Sequence, residues 1–370
     1  MTNKQEKNTK IKLPIFSYVF FGIAALSLII YIIAINNTGF ADYFNRHISS
    51  FFRLVLAKIS GIIPLSFAEL FVICSPIILF IIIRFAMKRY IETWRHVGIF
   101  CVMVLSIGSL FFSIFVLNFG IAYHTTSIDK RLELDKKDVS ANELANTAEW
   151  LIDEVNSLID EVEFEDKSSS IMPYSLKEMN NELISAYQSL SERYTFIPYF
   201  KSRIKPIMLS EPMTYTHISG VYTFFTGEAN LNTNGLDYSL VFTTAHELAH
   251  QRGIAREDEA NFVAFLVCAE SDEPYIKYCA YMNLCEYVLN ALYSADSALW
   301  ETTYKKLDNR AIYEMIAYND HYEKYRDNVV GEISGAINDA YLQANGTQGS
   351  VSYGLVVDLA VAYFHKNIEN

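Results

Sequence analysis

The chain has 370 residues, a formal net charge of −12, and 51% hydrophobic against 19% charged residues. The charge is unevenly distributed, because residues 1–123 carry +7 and residues 124–370 therefore carry −19. An acidic part of this size lacks the basic footprint that phosphate recognition requires, which excludes nucleic acid as a partner. We predict a membrane domain over 1–123 and a second domain over 124–370.

Three apolar segments in the first part predict transmembrane helices at about 14–35, 64–83 and 97–119. The first has no charged residue between positions 12 and 42. About 20 apolar residues are enough to cross the hydrocarbon of a bilayer as a helix. The lipid bilayer is therefore an expected partner, and the protein an expected multi-pass protein of the cell membrane.

The middle segment differs from the other two because it carries Glu69 and Pro76. An ionisable side chain inside the hydrocarbon is costly and usually has a function. We expect Glu69 to lie near the outer headgroups. A carboxylate within the membrane with a functional partner is the alternative.

Basic residues cluster at two places and predict the orientation, because they are enriched on the cytoplasmic side. They are Lys4, Lys7, Lys10 and Lys12 before the first span and Arg84, Lys88, Arg89 and Arg95 between the second and third. Arg46, Arg53 and Lys58 in the first loop oppose this assignment weakly. The pattern places the N-terminus in the cytoplasm and the second domain outside it.

Apolar residues at helical spacing predict most of the second domain to be helical. The expected helices span about 140–162, 175–194, 237–253, 257–268, 275–295, 298–306, 311–342 and 352–365. Residues 196–234 contain prolines, threonines and aromatic residues and predict short strands instead. The expected fold is a membrane-anchored α+β protein with a mostly helical domain and a small sheet.

His246-Glu247-Leu248-Ala249-His250 is the most informative motif. Residues four apart lie on one face of a helix, so His246 and His250 are able to bind the same Zn²⁺ ion. Glu247 is offset by one position and reaches the water in the open coordination site, where it acts as general base. A polar exit with Gly253 as cap predicts where this helix ends.

A catalytic zinc site of this kind needs a third protein ligand. Glu257, Ala260, Asn261 and Ala264 follow at i, i+3, i+4 and i+7 and mark one face of a second helix. The small residues on that face permit close approach to the first helix.

The two motifs together resemble those of gluzincin metallopeptidases, in which His-Glu-x-x-His is followed by Glu-x-x-Ala-Asp or Glu-x-x-Ala-Asn. The resemblance implies that Glu257 is the third zinc ligand. It also implies that Asn261 is the outer partner of a zinc-bound histidine. Glu259 is the alternative ligand, unless it is a solvated charge on the exposed helix face.

Three further runs resemble an uncharacterised bacterial membrane family catalogued as domain of unknown function 3810. They are 225–230, 245–253 and 257–262, and they follow three hydrophobic segments. In zincin folds the edge strand of a small sheet pairs with an extended substrate. The resemblance to zincin folds makes 227–232 the expected substrate-binding edge strand. Gly227, Glu228 and Asn230 are then expected to contact the substrate or, alternatively, to close a turn.

An electrophile must also stabilise the oxyanion formed during peptide hydrolysis. Tyr353 and His321 are the first candidates among several chemically suitable residues, which the sequence does not rank well. For each of them, a packing or surface role is the alternative. The others are His217, Tyr222 and Arg256.

The leading hypothesis is a membrane-anchored zinc metallopeptidase that cleaves an extracytoplasmic protein or peptide. The alternative is a non-enzymatic sensor or binding protein on the same fold, although a purely structural zinc site is normally closed by a fourth protein ligand. A transporter with an accessory domain is a third interpretation, but three spans with one carboxylate form a poor pathway. The sequence leaves the substrate, the cleavage specificity and the oligomeric state open.

Overall fold

The computed structural model describes residues 12–90 and 93–369. It is mostly helical, with one three-stranded sheet. Outside the description lie Lys4, Lys7 and Lys10 of the basic N-terminus and the side chain of Tyr353.

The N-terminal third forms five α-helices, of which three are long and apolar enough to cross a membrane. In chain order they are α1 (Ile15–Asn36), α2 (Thr38–Tyr43), α3 (Ser50–Ser60), α4 (Phe67–Arg89) and α5 (Trp94–Asn118). The prediction of three long apolar helices, α1, α4 and α5, is confirmed. The second begins later than the predicted 64–83, because Ser66 caps it by accepting the N–H of Glu69 at 3.0 Å. It also ends later than predicted, at Arg89.

Glu69 lies in the first turn of α4 and is buried. Its carboxylate accepts the backbone N–H groups of Met208 and Leu209 at 3.0 and 2.8 Å. The side chain therefore lies where the span meets the rest of the protein, and it is not at mid-span.

The connection between the first two spans packs against the C-terminal part of the chain. Arg53 on α3 is fully buried and donates to the carbonyl of Asn118 at 2.6 Å and that of Asn45 at 3.0 Å. The Asn45 amide donates to the carbonyl of Gly253 at 3.1 Å. Burial lowers the pKa of Arg53 to about 10. This arginine is a structural residue of the fold.

The remaining chain adds helices on both sides of a short stretch of strands. In order these are α6 (Ile128–Arg131), α7 (Ala141–Leu158), α8 (Leu176–Arg193), β1 (Ile204–Pro206), α9 (Ser210–Thr214), β2 (Gly220–Thr223), β3 (Glu228–Leu231), α10 (Asp237–Gln251), α11 (Glu257–Glu270), α12 (Pro274–Ala295), α13 (Ser297–Tyr304), α14 (Asn309–Arg326), α15 (Val329–Ala344) and α16 (Val356–Phe364). The single helix predicted over 311–342 is wrong, because Asn328 is extended at φ −149° and caps a new helix by accepting the N–H of Gly331.

The sheet has the order β1-β3-β2, with β1 parallel and β2 antiparallel to β3. Ile204 pairs with Ala229 on one side, and Tyr222 pairs with the same alanine on the other. β3 is therefore the central strand. The prediction that 227–232 forms the substrate-binding edge is wrong, because both sides of this strand are already paired.

Small residues let α10 and α11 approach each other closely. Ala245 and Ala249 on α10 and Ala260 and Ala264 on α11 are completely buried. Both helices belong to one large apolar core that also contains the inner faces of α7, α8, α12 and α16. The two helices that carry the sequence motifs are thus held rigidly at the centre of the domain.

Candidate metal and catalytic site

His246 and His250 lie one turn apart on α10, with their ring centroids 4.5 Å apart. The helix ends at a left-handed Gly253, whose φ is +88°. This turn brings back the carbonyl of Ile254, which accepts the Nδ1–H of His250 at 2.7 Å. Because a carbonyl only accepts, Nδ1 carries a hydrogen, and Nε2 is the ring nitrogen that faces the site.

Glu257 begins α11 and joins the two histidines. Its Oε2 lies 3.2 Å from Nε2 of His246 and 3.3 Å from Nε2 of His250. Donor atoms held about 2.0–2.1 Å from a tetrahedral zinc ion lie about 3.3 Å from one another. All three donors lie within 4.8 Å of one another. The spacing therefore fits a small tetrahedral cation.

The charges of the three groups are strongly coupled. Burial alone lowers the pKa of His250, but the Glu257 carboxylate outweighs it and raises this pKa to about 9. Burial alone raises the pKa of Glu257, but the imidazoles, His250 foremost, bring it well below its usual value. The three groups thus favour a positive charge where they meet, which a proton or a metal cation supplies.

Asn261 does not play the outer-partner role implied by the gluzincin resemblance. Its amide donates to the hydroxyl of Tyr287 at 3.4 Å. His250 takes its outer partner from the backbone of Ile254 instead. The Nδ1 of His246 is buried and has no hydrogen-bond partner among the described residues. Asn261 still lines the same cavity.

Glu247 points from α10 towards the edge strand β2. Its carboxylate accepts the backbone N–H of Tyr222. A Cβ added at Gly220 would lie 2.6 Å from its Oε1, so a larger residue there would displace this carboxylate. The other oxygen, Oε2, is buried without a hydrogen-bond partner among the described residues. Burial raises the pKa of Glu247, and the neighbouring side chains of His246 and His250 offset part of that rise.

Glu259, the alternative ligand, is turned away from the histidines. It is buried, pairs with Arg256 at 2.6 Å and accepts the backbone N–H of Ile128 at 3.0 Å. Arg256 also donates to the carbonyls of Tyr123 and Thr125. Glu259 is therefore neither a ligand nor a solvated surface charge, and Arg256 is occupied in a structural contact.

A cavity of about 430 Å³ opens over the His246, Glu247, His250 and Glu257 side chains. His217 and Tyr222 line it, as the sequence analysis allowed, but His321 is not in its lining and instead contacts the carbonyl of Asn234 at 3.1 Å. The sequence analysis missed the cavity tyrosines on later helices. These are Tyr287, Tyr318, Tyr322 and Tyr341.

Tyr287 and Tyr341 are the two of these tyrosines whose pKa is influenced by the charge of a triad residue. The charge of Glu257 contributes to the pKa of both, and burial is the main cause that raises each to about 12. Both hydroxyls therefore stay protonated at neutral pH and are able to donate. Asn283 and Tyr287 both line the cavity, and their i, i+4 spacing places them on one face of a helix. This spacing was the one signal in the sequence that could have pointed to Tyr287, and Tyr341 had none.

The expected substrate contacts on β3 serve the fold. Glu228 is buried, forms an ion pair with Lys205 and accepts the N–H groups of Phe67 and Ala68 at 3.1 and 2.9 Å. The Asn230 amide donates within the sheet, to the carbonyl of Val221. Gly227 is left-handed and packs against Leu56 of α3. None of the three lines the cavity above the histidines.

The family model described as a protein of unknown function, DUF3810, matches residues 43–361. This chain belongs to that family. The match includes the second and third apolar helices and every residue of the triad, but the description assigns no activity. No curated protein and no solved structure matches the chain.

Proposed function

We propose that this protein is a membrane-anchored, zinc-dependent peptidase that acts outside the cytoplasm. The observation that carries the proposal is the convergence of His246, His250 and Glu257 beside a buried carboxylate that is not a ligand, Glu247. Three ligands with an open fourth position are typical of catalytic rather than structural zinc sites.

The three donors suit zinc in type as well as in spacing. Two neutral imidazoles and one carboxylate form a ligand set that zinc hydrolases use. When bound, zinc polarises a carbonyl and lowers the pKa of a coordinated water to about 7. The turn at Gly253 contributes by orienting the ring of His250, because the Nδ1–H donates to the carbonyl of Ile254 and Nε2 is then left as the ligand atom.

Glu247 is placed to move a proton. One of its oxygens is held by the N–H of Tyr222, and the other is free to accept a proton inside the cavity. Its pKa is raised by burial, which brings it closer to neutral pH and makes it a better proton carrier in both directions. We assign it the role of general base and then of general acid towards the leaving amine.

The outer edge of β2 is the position we assign to the substrate backbone. Gly220, Val221 and Tyr222 line the cavity, and β3 is the neighbour of β2 within the described sheet. An extended peptide can add to such an edge by main-chain hydrogen bonds. The edge strand beside Glu247 is an arrangement that we interpret as zincin-like.

The orientation follows from the basic residues that flank the spans. Arg84, Lys88 and Arg89 lie in the last turns of α4, which indicates a cytoplasmic end. Arg53 opposed this assignment in the sequence, yet it is buried against protein and therefore carries no topological weight. We place the cavity on the extracytoplasmic side.

Metal content is the direct test. We expect the purified full-length protein to hold about one zinc per chain by elemental analysis, and His246→Ala and Glu257→Gln to lose it. His321→Ala is the matched control for the histidine, since His321 contacts a backbone carbonyl outside the cavity. A wild-type protein that binds no zinc at neutral pH would contradict the proposed site.

Activity separates the peptidase from its alternative. We expect the zinc-loaded wild type to cleave members of a peptide library and Glu247→Gln to retain zinc without cleaving. Retained metal with no cleavage of any peptide by the wild type would instead support the non-enzymatic sensor. The unpartnered Oε2 of Glu247 favours the enzyme, because a buried carboxylate that only stabilised the fold would be fully hydrogen-bonded.

A further inference from the structure

A second cavity, of about 690 Å³, lies away from the triad, between the connection that links α3 to α4 and the region where α8 and β1 lie. Gly61 and Pro64 line it from the connection, and Ile204 and Pro206 line it from β1. Lys205, also on β1, holds the two walls together by donating to the carbonyls of Ser60 and Leu65 at 2.6 and 2.9 Å. The groove is therefore a built feature of the fold.

Four cationic side chains line this basic groove, namely Lys58, Lys177, Lys201 and Arg203. They come from three separate parts of the chain, which are the end of α3, the first turn of α8 and the segment before β1. All four are exposed. Sequence proximity alone does not explain why they gather around one cavity.

Among the described residues, none of the four forms an ion pair with a carboxylate, whereas most other lysines and arginines of the second domain do. Glu178 is next to Lys177, but it is engaged in capping α8 through Ser175. Three of the four cations, all except Lys58, belong to the domain with a net charge of −19, where such an unpaired positive cluster is unusual. It favours a ligand that brings negative charge.

The groove opens beside the start of α4, one of the three helices that are long and apolar enough to cross a membrane. Gly61 and Pro64 lie three to six residues before Phe67, at which α4 begins. The same connection exposes Ile62, Ile63 and Leu65, and Ile62 is 78% exposed. Apolar side chains beside lysines and arginines form a surface that suits acyl chains and phosphates together.

We propose that the basic groove binds the phosphate of an anionic phospholipid in the leaflet against which the second domain lies. The cations contact the headgroup, and the exposed isoleucines and leucine of the α3–α4 connection contact the acyl chains. This assignment does not depend on the peptidase activity. A consequence of this proposal is that a bound anionic lipid would stabilise the α3–α4 connection and the first turn of α4, which follows it.

The test uses the full-length protein in nanodiscs that contain equal amounts of phosphatidylglycerol and phosphatidylcholine. Native mass spectrometry of the released protein counts the lipids that stay bound. We expect phosphatidylglycerol to be enriched over phosphatidylcholine by about tenfold or more, since each cation near a membrane surface contributes about fivefold. Equal retention of the two lipids by the wild type would overturn the proposal, whatever the variants described next show.

Charge removal locates the site. We expect Lys177→Gln/Lys201→Gln/Arg203→Gln to abolish the enrichment. The matched control, Lys305→Gln/Lys306→Gln/Lys324→Gln, removes three cations that already pair with Glu301, Glu149 and Glu211, and we expect it to keep the enrichment. Enrichment that persists in the groove variant would show that the lipid binds elsewhere and would overturn the assignment.

A last arm separates a lipid headgroup from free phosphate, which has similar chemistry. Inorganic phosphate is titrated by calorimetry into the protein in a neutral detergent, without phosphatidylglycerol. We expect no binding at millimolar phosphate, because the acyl contacts are missing. Phosphate binding that the groove variant loses, together with no preference for phosphatidylglycerol, would assign the groove to a soluble anion and overturn the lipid proposal.

Discussion

Glu228 and Glu257 are both buried carboxylates next to cationic partners, but their surroundings differ. Glu228 pairs with Lys205 and accepts two backbone N–H groups from the start of α4, so both of its oxygens are satisfied. Oε2 of Glu257 lies 3.2 and 3.3 Å from the Nε2 atoms of His246 and His250, and Oε2 of the neighbouring Glu247 has no hydrogen-bond partner among the described residues.

The difference separates a cluster that stabilises the fold from one that is prepared for a ligand. Buried polar groups are normally hydrogen-bonded, and the exceptions in a native protein call for an explanation. At Glu228 the bonds tie the sheet to the second span. At the triad, we propose that the three converging donors hold a cation and that the unpartnered Oε2 of Glu247 faces a water.

The largest expected effect is on catalysis. Glu247→Gln should lower kcat/KM for a cleaved peptide by at least about 100-fold, because it removes the general base. Zinc content should stay at the wild-type level, and stability should not fall, since burial already disfavours the ionised form of Glu247. Cleavage at the wild-type rate by the zinc-loaded variant would remove Glu247 from the mechanism.

The complementary change at the satisfied cluster should affect stability instead. Glu228→Gln leaves the Lys205 ammonium buried without its carboxylate, which typically costs about 3–5 kcal/mol. Denaturant unfolding in detergent measures this, and zinc per folded chain should be unchanged. Lys205→Met/Glu228→Gln should recover much of the loss, and a double variant as unstable as the single one would show that the ion pair is not the cause.

Glu286, a half-buried carboxyl group, gives a pH-dependent contrast. Burial raises the pKa of Glu286 from 4.5 to about 7, although Tyr238 donates to it at 2.8 Å. Between these pH values the unfolded chain releases the proton first, so the stability of the folded protein falls as pH rises from about 4.5 to 7 and is then level.

Glu286→Gln removes that loss. At pH 8 the variant should be more stable than the wild type by at most about 3 kcal/mol, since the side chain keeps some contact with solvent, and near pH 4.5 the difference should vanish. Unfolding free energies across this range measure the effect. A difference that does not change with pH would exclude titration of Glu286 as its origin.

The smallest expected effect concerns the turn that orients His250. Gly253→Ala introduces a Cβ at φ +88° and against the Arg53 guanidinium, which should cost about 1–3 kcal/mol. It should also weaken zinc binding by about 10–100-fold, because the carbonyl of Ile254 orients the imidazole. Competition with a zinc chelator measures the affinity.

Gly346→Ala is the control for backbone strain alone. Gly346 is also left-handed, at φ +84°, but a Cβ there meets nothing within 4 Å. This variant should lose some stability and keep its zinc affinity. Equal zinc affinities for the two alanine variants would show that the Gly253 turn does not tune the ligand.

Local patterns in the sequence were sufficient for most of the helices and for the two histidines, whereas the choice of Glu257 as the third ligand came from the resemblance to gluzincin motifs. The i, i+4 spacing of His246 and His250 and the facing alanines of α10 and α11 depend only on helical geometry, which short segments carry. The break at Asn328 was missed because the apolar periodicity continues across it. The cavity tyrosines were missed because they lie on α12, α14 and α15, which are distant in sequence from the histidines.

The sequence by itself determined three apolar spans, a helical domain and the residues able to bind a metal, because composition and helical periodicity are local properties. Only the tertiary structure decided which strand is the edge, which carboxylates are satisfied and where the cations gather. Strand order places Glu228 and Asn230 in the centre of the sheet and Gly220 beside Glu247. Such pairings join residues far apart in the chain, and nothing in a local pattern specifies them.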